Sequence, residues 1–297
     1  MSAAAPPPAA RVAGAPISWG VCEVPGWGVQ LPPARVLAEM RSVGLRATEL
    51  GPDGYLPGEP GRLRALLDGH GLRLVAGFVP LVLHRPDRAA DQLTEAARAA
   101  SLLSRAGAEV LVAAAATGAD GYEDRPELDG AAWGHVASML DRVAGIAAAH
   151  GLDLALHPHV GTVVERRDEV MRLLDRSGVA LCVDTGHLLI GGTDPLALVR
   201  EVPGRVRHVH LKDVDRATAR RVEAGELGYA AAVRAGMYRP LGAGDVPVAE
   251  VVEALEGAGY RGWYVLEQDV ALPAEPAEGG GPVVDVRASL AFLDGRL

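Results

Sequence analysis

GVALCVDTGHLLIGGTDPLALVREVPGRVRHVHLKD, residues 178–213, contains one complete structural unit and the strand that opens the next. Gly178 precedes an apolar run, VALCV, that ends in the polar residues Asp184 and His187. An amphipathic segment follows over 195–202, and Gly204 then precedes a second run, RVRHVHL, that ends in Lys212 and Asp213. Glycine suits the left-handed residue that closes a helix, so each glycine marks a helix end just before a strand. Nearly continuous apolar runs are what parallel strands covered on both faces require. The stretch therefore reads strand, helix, strand.

The same pattern runs along the whole chain. Gly44 leads into LRATEL, Gly71 into LRLVAGFVPL, Gly107 into AEVLVAAAAT, Gly151 into LDLALHPHV and Gly259 into YRGWYVLEQD. With the opening run VAGAPISWG this makes eight strands. Helices are expected around 33–43, 60–70, 87–106, 130–150, 167–176, 195–202, 247–257 and 284–294. Eight strand–helix units in 297 residues are the pattern of a single-domain (β/α)8 TIM barrel, expected over 11–297 behind a disordered tail, 1–10. A doubly wound open sheet would carry a glycine-rich phosphate loop after its first strand, and SWGVCEVPGWG has neither GxGxxG nor GxxxxGK[ST] spacing. The stretch 214–246 is too long for a tight turn and is expected to be a lid or active-site loop with a helix of its own.

Bulk composition narrows the partners. A net charge of −9 opposes nucleic-acid and anionic-membrane binding, which need a basic face. No apolar run approaches the roughly 20 residues needed to span a bilayer, and the first residues do not form a signal peptide. Two cysteines, Cys22 and Cys182, are too few and too distant for a disulfide scaffold, and both are expected to be small buried apolar residues of a cytoplasmic protein. Oligomeric state is not legible, and a homo-oligomer stays open. Among 29 basic residues only Lys212 is a lysine. Arginine-rich coding explains the other 28, whereas a position that stays lysine points to a compact amine able to lose its proton.

Barrel enzymes place their chemistry at the C-terminal ends of the strands, and here the titratable residues gather there. Trp19, Glu49 and His84 end or follow the first three runs, and the fourth offers only Thr117. His157 and His159 end the fifth, Asp184 and His187 the sixth, Lys212 and Asp213 the seventh, and Glu267 and Asp269 the eighth. By the strand period of two, His208, His210 and Lys212 share one face, with His208 deepest and expected to be a core residue. Glu267, after a fully apolar approach, needs a cation, because an unpaired buried carboxylate costs several kcal/mol. With Asp184 and His210 converging from neighbouring strands, a divalent metal answers that need. Mixed oxygen and imidazole donors suit manganese or cobalt, with iron, zinc or magnesium as alternatives.

On these residues the chain resembles the xylose-isomerase-like sugar phosphate isomerase/epimerase superfamily, and within it the inosose dehydratases of inositol catabolism. The segments that carry the resemblance are APISWG (15–20), TELGPDGYLP (48–57), LHPHVGTVVE (156–165), VDTGH (183–187), HVHLKD (208–213), LGAGDVP (241–247) and GYRGWYVLEQD (259–269). The resemblance implies one divalent metal held by His157, Asp184, His210 and Glu267. The epimerase pattern has a glutamate where this chain has His157, which disfavours a two-glutamate epimerase mechanism and leaves open whether His157 or His159 faces the metal.

The implied reaction is dehydration of a keto-inositol or a similar polyhydroxylated ketone through an enolate; a ketose isomerase or epimerase using the same metal site is the alternative. Lys212 is the candidate base, on the expectation that burial and a metal lower its pKa. His159 and His187 are candidates for the acid or for holding substrate hydroxyls, as is Glu49 for holding the polyol from the opposite rim. Trp19 is the candidate apolar wall. A metal-dependent endonuclease of this fold would need a basic groove, and a non-catalytic binding protein would need no metal.

Overall fold

The computed structural model describes residues 8–296. The tail expected over 1–10 lies outside the described residues through residue 7, and Pro8–Arg11 form a short 3-10 turn. The barrel strands are β1 (Val12–Gly14), β2 (Ala47–Glu49), β3 (Arg73–Leu81), β4 (Val110–Ala115), β5 (Asp153–Leu156), β6 (Ala180–Asp184) and β7 (Val206–Leu211). A two-stranded ribbon of β8 (Asp213–Val214) and β9 (Tyr238–Arg239) stands outside the barrel, and β10 (Tyr264–Leu266) completes it. All barrel pairings are parallel, in the closed order β1-β10-β7-β6-β5-β4-β3-β2.

The helices are α1 (Pro33–Ser42), α2 (Pro60–Gly69), α3 (Ala89–Ala106), α4 (Gly130–Ala149), α5 (Arg167–Arg176), α6 (Thr185–Ile190), α7 (Pro195–Glu201), α8 (Arg216–Glu223), α9 (Tyr229–Arg234), α10 (Val248–Gly257) and α11 (Pro282–Leu293). Start signals are visible in the sequence: Asp194 precedes Pro195, and its carboxylate accepts from the Leu196 and Ala197 amides. Gly107, at φ 94°, closes α3 in the left-handed conformation and turns the chain into β4.

The strands alternate between two cores. Their outward residues pack against the helices in the main cluster, whereas Ala13, Ala15, Ala47, Val75, Val112, Ala155, Cys182 and Val265 form a separate interior cluster. Most interior residues are small, so the barrel is filled at its base and open above. Cys182 is fully buried there, and Cys22 is half-buried at the cavity mouth, so only Cys182 is the small buried residue expected. No helix among the described residues is long and apolar enough to cross a membrane.

The stretch 214–246 is more built than a lid with one helix. It holds α8 and α9, which are bracketed by the antiparallel ribbon of β8 and β9. Asp213 fixes the return: its carboxylate accepts from the Val214, Gly242, Gly244 and Val246 amides at 2.8–3.0 Å.

Candidate metal centre and its cavity

Strand register assembles the centre. Asp184 pairs with His210 across β6 and β7, and His210 pairs with Val265 across β7 and β10. The ladder continues one step beyond β10, where the Glu267 amide donates to the Leu211 carbonyl. On the other side the His157 amide donates to the Ala113 carbonyl, just after β5. The result is one ligand atom each from His157, Asp184, His210 and Glu267, all within 4.8 Å of one another.

The individual atoms fit a cation. His157 Nδ1 bonds the Pro158 carbonyl at 2.8 Å, which leaves Nε2 as the lone-pair nitrogen, 3.6 Å from Asp184 Oδ2. His210 Nδ1 stands 3.1 Å from Glu267 Oε2 and 3.6 Å from Asp184 Oδ2. Asp184 Oδ2 and His210 Nδ1 are both buried and make no hydrogen bond. Buried acceptor atoms that face one another without a shared hydrogen require a positive charge between them. Without a metal, protons serve instead: burial disfavours the His210 imidazolium, but Cys182, Glu267, Glu49 and Asp184 outweigh it and hold its pKa well above the usual imidazole range. Burial and the neighbouring His210 push His157 the other way, down to about 3.

Lys212 lies against the same carboxylates. Its Nζ is 2.8 Å from Asp269 Oδ1, 2.9 Å from Glu267 Oε2 and 3.2 Å from Asp184 Oδ2. Burial alone would lower its pKa, but Asp184, Asp269 and Glu267 together raise it well above the ordinary lysine value. In the protein alone these three carboxylates oppose the lowering expected from burial and a metal. The stem of Lys212 also explains the glycine of VDTGH: a Cβ on Gly186 would come within 2.8 Å of Lys212 Cγ.

Above the four donors lies a cavity of about 850 Å³, lined by Ile17, Phe78, Tyr122, His159, Lys212 and Glu267 among others. His159 faces it half-buried, with Nδ1 on the Val160 carbonyl at 2.7 Å. His187 is buried behind it with ring centroids 3.7 Å apart, its pKa held well below the usual imidazole range by burial first and by the neighbouring Lys212 ammonium. Its Nε2 has no hydrogen-bond partner.

The family described as the xylose isomerase-like TIM barrel matches residues 37–294. The chain belongs to that family. Among curated proteins of this kind, it is 35% identical over 266 residues to the rhizopine catabolism protein MocC of Rhizobium meliloti, covering 87% of this chain and 81% of that one. It is 32% identical to the inosose dehydratase of Geobacillus kaustophilus, covering 87% of each chain. A solved structure of L-ribulose 3-epimerase superposes with a TM-score of 0.71 at 18% identity, covering 97% of this chain and 94% of that one, which is a likeness of fold.

Within this xylose isomerase-like barrel one expected site residue lies elsewhere. Trp19 does not line the cavity: the 3-10 turn Pro16–Trp19 sends its ring outward, fully buried, where its indole N–H donates to Glu39 of α1 at 2.8 Å. Ile17 from the same turn reaches the cavity instead. Glu49 lines the cavity at 3% exposure, its Oε1 accepting from His208 Nε2 at 2.6 Å and His210 Nε2 at 3.0 Å. Burial opposes its charge, yet His210 and His208 bring its pKa down to about 2. His208 is the buried core histidine expected.

Sequence reasoning missed three tyrosines. Tyr229 OH donates to Asp269 Oδ2 at 2.5 Å and pairs with Tyr238 OH at 2.8 Å, while Tyr122 stacks over His159 and packs 4.4 Å from Tyr229. Their signal was aromatic residues in polar, glycine-bearing rim segments such as GADGYED, in a chain with only 4% aromatics.

Proposed function

We propose that this chain is a metal-dependent hydro-lyase that dehydrates a cyclic polyhydroxylated ketone of the inosose class. The observation that carries the reading is the convergence of His157, Asp184, His210 and Glu267 at the floor of the cavity, with the Lys212 ammonium beside them. The relatives named inosose dehydratase support it over most of the chain's length. A divalent cation held by these four residues would supply Lewis-acid polarisation of a ketone oxygen, and the donor set suits manganese or cobalt.

The chain's own residues supply the proton transfers. His159, with its Nδ1 hydrogen on a backbone carbonyl, offers Nε2 as the lone pair that takes the proton α to the ketone. Lys212 Nζ, held as an ammonium by its carboxylates, donates a hydrogen to the departing β-hydroxyl, which leaves as water. Proton taken and proton given balance the loss of one water. This assignment makes Lys212 the acid. His187 supports the His159 ring from behind, and Ile17 and Phe78 give the cavity an apolar wall.

The test is incubation with scyllo-inosose. The expected result is growth of the absorbance of an enolised dione, abolished by a chelator and restored by Mn2+ or Co2+. Epimerisation of ketohexoses with no dione from the inosose would replace this reading with the isomerase one.

A further inference from the structure

Two imidazoles share one oxygen beneath the metal centre. Glu49 Oε1 lies 2.6 Å from His208 Nε2 and 3.0 Å from His210 Nε2, with all three residues buried. A carboxylate oxygen only accepts, so both Nε2 atoms carry hydrogen. In a neutral imidazole the other nitrogen is then the lone pair. For His210 that nitrogen is Nδ1, the atom 3.1 Å from Glu267 Oε2 and 3.6 Å from Asp184 Oδ2. His157 is set the opposite way, because its Nδ1 is engaged by the Pro158 carbonyl and Nε2 faces Asp184.

We infer that Glu49 is a positioning residue for the metal: it fixes the tautomer and ring plane of His210 so that His210 binds through Nδ1, and His208 is the second donor that keeps the Glu49 oxygen in place. Glu49 comes from β2, across the barrel from the four ligands, so the opposite wall supports the metal centre without touching it. Oε1 is committed to the two imidazoles, while Glu49 also lines the cavity. The inference rests on the metal reading of the four donors.

The decisive measurement is a histidine-ring 15N–1H correlation spectrum of the full chain loaded with Zn2+. The expected pattern is His210 with hydrogen on Nε2 and metal on Nδ1; metal on Nε2 overturns the inference. Chelator competition then compares Zn2+ affinity in wild type, Glu49→Leu and Glu49→Gln. Loss of the acceptor in Glu49→Leu is expected to weaken binding about 10–100-fold, with Glu49→Gln, which keeps an oxygen, recovering to within about tenfold of wild type. Equal affinity in all three chains overturns it, and should the leucine chain not fold, the wild-type spectrum and the glutamine chain still decide. A wild-type chain that takes up no divalent ion overturns the metal reading as well, whereas uptake without dependence on Glu49 overturns this inference alone.

Discussion

At Asp184 one oxygen accepts from the Gly186 and His187 amides, at 2.9 and 2.7 Å, while the other stands 3.2 Å from Lys212 Nζ and among the ligand atoms. The roles of helix cap and candidate metal ligand are thus divided between its two oxygens. The split can be tested with two substitutions. Asp184→Asn keeps a capping oxygen and loses the anionic donor, whereas Asp184→Ala loses both. Neither chain is expected to bind Mn2+ at concentrations that saturate wild type, and in urea melts with chelator the alanine chain should be less stable than the asparagine chain by about 1 kcal/mol. Equal melts would remove the cap, and wild-type Mn2+ uptake by the asparagine chain would remove the ligand. Lys212 shows the limit of reading residues singly. Its uniqueness marked the position, but its protonation depends on Asp184, Glu267 and Asp269, and only their three-dimensional approach reveals three carboxylates around one amine. Trp19 shows another, since a tryptophan at a strand end can turn to either side of the wall, and the 3-10 turn decides which.

Among elements, the repeated units were legible because each couples an apolar run to a glycine-closed amphipathic helix, two signals with different periods that agree. The expected helix 167–176 coincides with α5, and the others differ by a few residues at their ends. What the pattern missed lacks such signals. The six residues of α6 follow β6 without a break, so TGHLLI reads as a continuation of the strand. In α8, RATARRVE, only Ala219 is buried, so no apolar stripe announces it. The stretch 214–246 is nevertheless anchored from within, because Tyr229 OH reaches Asp269 at 2.5 Å and holds Tyr238 OH at 2.8 Å. Tyr229→Phe removes a donor from a buried carboxylate and leaves Tyr238 without its partner. The expected cost is about 1.5–3 kcal/mol in urea melts, with faster amide hydrogen exchange concentrated over residues 229–239. Unchanged exchange there would show that packing alone fixes this stretch.

Across the whole molecule, the barrel mouth holds buried Glu49, Asp184 and Asp269 and half-buried Glu267 beside four buried histidines and Lys212, so stability must follow both metal and pH. A bound cation stabilises by mass action, about 2.7 kcal/mol at a free concentration 100 times Kd. In chelator the sign is set by His157 and His187: burial depresses both folded pKa values, His157 from 6.5 to about 3 with help from His210 and His187 well below 6.5. Below pH 6.5 the unfolded chain takes up a proton at each that the folded chain refuses, so stability falls with pH, for His157 until about 3. One such proton corresponds to a slope of about 1.4 kcal/mol per pH unit. Glu49, with its pKa brought down from 4.5 to about 2, adds to the loss below 4.5. His210 acts oppositely: its raised pKa gives stability fully present below 6.5, so it leaves the slope there unchanged. Urea melts of the chelated chain between pH 6.5 and 4.5 should therefore lose stability steadily, and His157→Gln should flatten the curve by one proton. Metal-saturated protein starts higher and converges on the chelated curve as protons displace the cation from its ligands. Parallel slopes for wild type and His157→Gln would mean that His157 is not the neutral, buried imidazole on which the four-donor centre depends.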